Sequence, residues 1–414
     1  MHPAHTHGRW LALTTCLTLL APAGRAQAVS QEEDPELAAA AAADAAAAPA
    51  PPPPGSWLAP LVANTPLASL NPDMSLILDV TLGWFTRAGH LRQGGHAADE
   101  NGFTLQGLEW TASASVDPYF RFDLNFQIAH LHLEEAYLTT LALPGGLQAR
   151  AGYMNAAFGR ENPKHLHTWH LVNPSLAHTR FMSAEHLSGL GAEVSWLTPL
   201  PWYVLLLVQA LDTHGATAFR AASFGAVELT DSGELDGPED FLYLARLETF
   251  VPFGDDWSLY LGGSAAFGQS AYAPDNRVDL WGADVYLKWR PLGSGPDSLA
   301  VALTLEYFLR DTQVPGDSVR DHGGYVQVDA QVDKRWLVSL RAENLDGLWG
   351  ASPDPTRLGG WQWRGSAALT FLPTHFSKLR LQLDAGHAQE LTGAAWGFTL
   401  QVEVSAGSHG AHAF

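Results

Sequence analysis

Sixteen times between residues 75 and 405 the chain alternates apolar and polar side chains over stretches of about ten residues. Leu76, Leu78, Val80, Leu82 and Trp84 share one face of an extended segment, with Asp79 and Thr81 on the other. Phe120, Phe122, Leu124, Phe126 and Ile128 alternate with Arg121, Asp123, Asn125 and Gln127, and Trp396, Phe398, Leu400, Val402 and Val404 with Thr399, Gln401 and Glu403. Residues two apart on a strand point the same way, so each segment offers one face to an apolar medium and the other to water. A soluble sandwich also alternates, but its outer face is rarely this rich in Phe, Trp and Leu. The candidate strands are 75–86, 102–116, 118–129, 133–142, 147–157, 187–198, 201–212, 241–250, 257–268, 279–290, 298–310, 323–332, 336–344, 361–372, 378–386 and 396–405. The fourth is short and mixed, and the seventh is apolar on both faces.

The connections form a second pattern. Those after even strands are tight, as at Asp117-Pro118, Leu143-Pro144-Gly145-Gly146 and Asp333-Lys334-Arg335. Those after odd strands are mostly long: 87–101, 158–186, 213–240, 269–278, 311–322, 345–360 and 387–395. Only the link at His130-Leu131-His132 departs from this. Short turns on one rim and long loops on the other, joined by an even number of strands, describe a transmembrane barrel. The expected fold is therefore all-β, an antiparallel up-and-down barrel of about 16 strands (14–18 as bounds) of the Gram-negative outer-membrane porin type.

Composition narrows the function classes. Apolar residues make up 46% and charged residues only 16%, against about 25% charged in soluble domains. After the N-terminal region no segment reaches the roughly 20 apolar residues of a membrane helix, so a membrane-spanning form must be a closed barrel. A net charge of −20 argues against nucleic acid as a partner. Neither a nucleophile motif, a glycine-rich phosphate loop nor a paired-carboxylate motif is present, and no enzyme is expected.

Three regions follow. Residues 1–28 read as a signal peptide: Arg9 in the n-region, an apolar stretch from Trp10 to Ala21, and a cleavage site at Ala26-Gln27-Ala28. The single cysteine, Cys16, falls inside it, and the small residue that would precede a lipoprotein cysteine is lacking. The mature chain then has no thiol for disulfides, metals or catalysis. Residues 29–70, with their alanine run and Pro51 to Pro54, read as a periplasmic linker or, across the alanines, a short helix. Residues 71–414 form the barrel, located in the outer membrane.

Several pieces resemble the phosphate-selective-porin-like family, in the branch often labelled zinc-regulated outer-membrane receptors. They include Asn71-Pro72-Asp73-Met74-Ser75-Leu76, the run from Gly152 to Asn162, His165-Leu166-His167-Thr168-Trp169, Asn173-Pro174-Ser175-Leu176 with Arg180-Phe181, and Gly189 to Trp196 with Pro199 to Tyr203. The resemblance implies an outer-membrane barrel with a pore. A receptor of the energy-coupled kind needs 22 strands and a plug, for which this chain is too short. The resemblance to sixteen-stranded porins also implies that the loop after the fifth strand folds into the pore.

That loop, 158–186, is the candidate constriction, carrying Arg160, Glu161, Lys164, Arg180 and Glu185. Its histidines His165, His167 and His170 have a spacing that can place imidazoles on zinc; no other cofactor is expected. By parity the water-facing wall includes Arg121, Asp123, Arg246, Glu248, Glu306, Arg310, Arg341, Glu343, Arg364 and Arg380, a mixed set rather than a phosphate ladder. The expected function is passive diffusion of small hydrophilic solutes or ions. A zinc-linked binding or uptake protein and a non-conducting structural barrel are the alternatives. Expected partners are outer-membrane lipid, the permeating solutes, further copies in a homotrimer, and the barrel-assembly machinery. The terminal Phe414, with Trp396, Phe398 and Leu400, would be the signal read by that machinery.

Overall fold

The alternating segments become a continuous wall. A computed structural model describes residues 72–407, apart from 88–90, 92, 93, 96, 99, 184, 214–218, 220–236, 270–275, 294–297, 315–316, 347–348, 351–359 and 390. The expected signal peptide and linker (1–70) and the Phe414 tail lie outside the described residues, as does most of 213–240. Sixteen long strands follow in order: β1 Asp73–Phe85, β2 Gly102–Ser115, β3 Phe120–Gln127, β4 His132–Thr140, β5 Leu147–Asn155, β6 Ser188–Leu197, β7 Tyr203–Asp212 and β8 Leu242–Phe253. The second half is β9 Trp257–Gln269, β10 Arg277–Trp289, β11 Ala300–Val314, β12 Asp317–Gln331, β13 Trp336–Leu345, β14 Gln362–Thr374, β15 Ser377–Ala388 and β16 Ala395–Gly407. A two-residue piece, Trp349–Gly350, pairs with Val319 and Arg320 at the end of β12.

Each strand pairs antiparallel with its sequence neighbours, and β1 closes the ring on β16 from Ser75 opposite Gly407 to Phe85 opposite Gly397. Because the ring closes on itself, its long strands present no open sheet edge among the described residues. The faces are inverted relative to a soluble protein. Asp79 and Thr81 are 3% and 0% exposed, whereas the neighbouring Trp84 is 71% exposed and Phe103 82%. An apolar exterior around a polar interior is what lipid demands of a transmembrane barrel. Turns on the short rim are built by side chains: Asp117 Oδ1 accepts from the amides of Tyr119 and Phe120, and Asp333 Oδ1 from those of Arg335 and Trp336.

One span differs from the sequence expectation, and the two irregular strands have a structural cause. The span 311–322, expected as a loop, is mostly strand: Val314 pairs with Asp317, so Pro315-Gly316 alone joins β11 to β12. Charged residues there mask the alternation, because Arg310 and Arg320 pair with Asp321 and Asp311 across the hairpin. In β7 the inner face is apolar for a reason: Leu207 and Leu211 are buried against an internal cluster. In β4 the alternation breaks because of a bulge: Asn125 faces Glu135 and Phe126 faces Leu133, leaving Glu134 as the extra residue.

Candidate functional site: a segment crossing the barrel interior

Between β5 and β6 the chain leaves the wall at Ala156 and returns at Leu187, and the intervening residues run inside the ring. The turn inward is at Gly159, whose φ of +65° favours glycine; a Cβ there would stand 2.6 Å from Glu306 Oε2. Three successive contacts carry the backbone across to the far wall. The Ala157 amide donates to Gln209 Oε1 on β7 (2.8 Å), that of Gly159 to Ser264 Oγ on β9 (3.2 Å), and that of Arg160 to Glu306 Oε1 on β11 (2.9 Å). The Arg160 guanidinium lies over the Tyr286 ring, 3.9 Å from its centroid, with Tyr260 beside it. Asn162 closes the base of the segment: its Nδ2 donates to the carbonyls of Ala156 and Leu187, and its Oδ1 accepts from the Leu187 amide.

The segment then crosses back. His165 and His167 reach β2 and β4, while Lys378 Nζ and Arg380 Nη2 on β15 donate to the carbonyls of His167 (2.6 Å) and Trp169 (2.7 Å). Val172 is held between Gln106 on β2 and Gln382 on β15. Arg341 Nη2 on β13 donates to Asn173 Oδ1 (2.7 Å) and to the Pro174 carbonyl (3.0 Å), and Arg364 on β14 donates to the same carbonyl. One short helix, α1 Leu176–Phe181, follows, capped by Ser175 Oγ accepting from the His178 amide. Arg180 from α1 pairs with Asp321 on β12 (3.0 Å), which Arg310 also holds (2.8 Å). Phe158, Phe181, Met182 and Leu187 pack with Leu211, Leu242, Leu280 and Phe308 in an apolar cluster against the inner wall.

The sequence candidates are placed as follows. Arg246, Glu306, Arg310, Arg341, Glu343, Arg364 and Arg380 all stand on the buried polar face. They are paired rather than free in a wide lumen. Arg246 bonds Glu248 and Asp284, Glu343 takes both Arg341 and Arg364, and Arg380 reaches Thr370, Gln401 and Trp169. Arg121 and Asp123 pair with each other along β3 at 2.7 Å. In the segment, Glu161 accepts from the Ser175 amide, and burial pushes its carboxyl above the usual range although Arg341 is 3.9 Å away. Lys164 bonds the Glu161 carbonyl through its amide, and Glu185 faces His132 at 3.3 Å.

The three candidate metal histidines do not converge. His165 and His167 stack with ring centroids 5.9 Å apart, but His170 turns away to Asp329, 3.1 Å from its Nδ1. The 3₁₀ turn Leu166–Thr168 supplies the physical reason, since it ends the extended geometry on which the spacing depends. Around His165 stand instead three acids absent from the sequence candidates: Glu109 on β2, and Glu134 and Glu135 on β4. Burial alone would push the His165 imidazole down. Hydrogen bonds to Glu134 and Glu135 and the Glu109 charge hold it well above its ordinary value. The available signal was Glu134-Glu135 itself, two adjacent carboxylates in a strand where strict alternation would put one in lipid.

No family model matches the chain. An uncharacterized protein of Aquifex aeolicus (strain VF5) is 30% identical over 389 residues, covering 83% of this chain and 80% of that one. The chain belongs to the family of that protein. Among solved structures, this member of the family is similar to OprB of Pseudomonas putida (TM-score 0.54, 11% identity, 81% of this chain and 94% of that one). It is also similar to the outer membrane channel DcaP of Acinetobacter baumannii (TM-score 0.53, 12% identity, 81% and 97%). A third is the anion-selective porin from Comamonas acidovorans (TM-score 0.52, 10% identity, 81% and 99%). The family member thus has the outer-membrane porin fold.

Proposed function

We propose that the chain is an outer-membrane channel for passive diffusion of small hydrophilic solutes or ions, with the 158–186 segment as its constriction. The observation that carries this is the set of contacts from one segment to walls on both sides of the ring, from β2 and β15 to β9 and β11. A segment so held narrows whatever aqueous path the ring encloses. Membership of the phosphate-selective-porin-like family, in the branch often labelled zinc-regulated outer-membrane receptors, is part of this reading. Its resembling pieces, from Gly152 to Asn162 and from His165 to Trp169, are those that build the segment. Contact of the apolar outer face with lipid, assembly as a homotrimer and use of the barrel-assembly machinery belong to the reading too.

The apolar cluster of Phe158, Phe181 and Phe308 favours a second reading, a barrel that does not conduct. One experiment separates the two. Residues 163–184 are replaced with a short glycine-serine bridge, and purified parent and variant are compared in planar bilayers. The constriction reading expects discrete channels in the parent and a several-fold larger unitary conductance in the variant. A silent parent with a conducting variant supports the closed barrel. A folded variant that conducts like the parent removes the segment from the path.

A further inference from the structure

Where the inner segment meets β2 and β4, three carboxylates and two imidazoles converge on the buried side of the wall. One donor atom from each of Glu109, Glu134 and His165 lies within 4.8 Å of the other two. His165 Nδ1 stands 3.2 Å from Glu134 Oε2 and 3.8 Å from Glu109 Oε1. A tetrahedral ion with bonds of about 2.1 Å sets its donors about 3.4 Å apart. The two measured separations bracket that distance.

A second observation points to a ligand. Glu109 is 3% exposed, and its Oε1, facing His165 Nδ1, takes no hydrogen bond. Its other oxygen is held from behind by His167 Nδ1 at 3.0 Å. His165 Nε2 likewise meets Glu135 Oε2 at 2.8 Å, which turns Nδ1 toward the other two carboxylates. An outer carboxylate on the far nitrogen is how metal-bound histidines are oriented. Three carboxylates against two imidazoles make a donor set dominated by oxygen, with nitrogen available to complete it.

We propose that Glu109, Glu134 and His165 form a site for a divalent transition metal of the zinc class, tying the inner segment to β2 and β4. The donor set chooses the class. An imidazole nitrogen among carboxylates suits zinc and its neighbours, whereas magnesium and calcium take shells of oxygen. Three protein donors leave a fourth position for water. Glu135 and His167 are positioning residues, each fixing the angle of a ligand it touches.

The test uses the full-length barrel, purified in detergent, stripped with a chelator and titrated with zinc alone or magnesium alone. Calorimetry and metal analysis after gel filtration should find a single retained zinc per chain and no retained magnesium. Glu109→Gln with Glu134→Gln should abolish retention, and Glu135→Gln should weaken affinity about 10–100-fold. His170→Ala should retain zinc like the parent. Heat-modifiable migration reports whether each variant folds; should the double variant fail, His165→Asn makes the same comparison from within the segment. Folded parent that retains no zinc overturns the proposal. So does zinc retained equally by folded Glu109→Gln/Glu134→Gln, or by folded His165→Asn, because the ion would then sit on other histidines.

Discussion

At Glu343 two guanidinium groups and one backbone amide meet: Arg341 at 3.0 Å, Arg364 at 2.7 Å, and the first amide of α1. All three side chains are buried. A buried pair is a poor guide to net stability, but removing one partner strands the other's charge, at about 3–5 kcal/mol. Glu343→Gln should therefore loosen the segment by that order. Hydrogen exchange at residues 173–181 should accelerate while the wall strands stay protected; equal acceleration of both would mean that the barrel itself depends on Glu343. His178 makes the segment sensitive to acid. Its ring is 1% exposed, packs against Trp169 and His186, and donates through Nε2 to the Glu185 carbonyl. Burial, with the Arg341 charge, lowers its pKa from 6.5 to about 4. Above the unfolded value the imidazole is neutral in both states and its contribution is complete. As pH falls through the window between 6.5 and about 4, the released ring takes a proton that the packed ring refuses. The loss amounts to roughly 3 kcal/mol. His186, lowered to about 4 by burial and by its histidine neighbours, adds in the same direction. Protection of the segment, taken relative to the intrinsic exchange rate at each pH, should fall between about pH 7 and about pH 4.5. His178→Gln should flatten that fall; an unchanged slope would remove His178 as its source.

Among the elements, the sixteen strands were legible because an apolar outer face over a polar inner face imposes the alternation at nearly every position. The seventh was ambiguous only because its inner face meets an apolar cluster rather than water. The β4 bulge and the β11–β12 hairpin were not legible, since both depend on partners: a register shift against β3, and ion pairs across β11 and β12. Of the inner segment, the length and position were readable, and so were its bases and histidines. Its destinations were not. Which of Arg160, His165 and His170 meets Tyr286, Glu134 or Asp329 is settled by the path of the backbone, which turns at Gly159. Gly159→Val should cost about 1–3 kcal/mol in strain there, before the clash with Glu306. Limited proteolysis should then cut the segment in an otherwise intact barrel; resistance equal to the parent would show that the turn tolerates a side chain.

For the molecule as a whole, the polarity of its two surfaces decides where it is stable. Leu400, in the middle of β16, faces outward between Leu82 and Leu381, while Gln401 beside it is buried. Leu400→Arg should destabilise the barrel by about 2–4 kcal/mol in lipid vesicles. Urea titration in vesicles checks this, and a loss below 1 kcal/mol would place Leu400 away from the bilayer centre. The contacts of the inner segment also have a mechanical meaning. A closed sheet keeps its circumference through its ladders, but its cross-section is free to flatten when the surrounding bilayer squeezes it. A backbone fixed at β2 and β15 on one side and at β9 and β11 on the other acts as a spar across that cross-section. The tube is thereby held in one shape, and lateral pressure is passed from wall to wall through packed side chains that compress little.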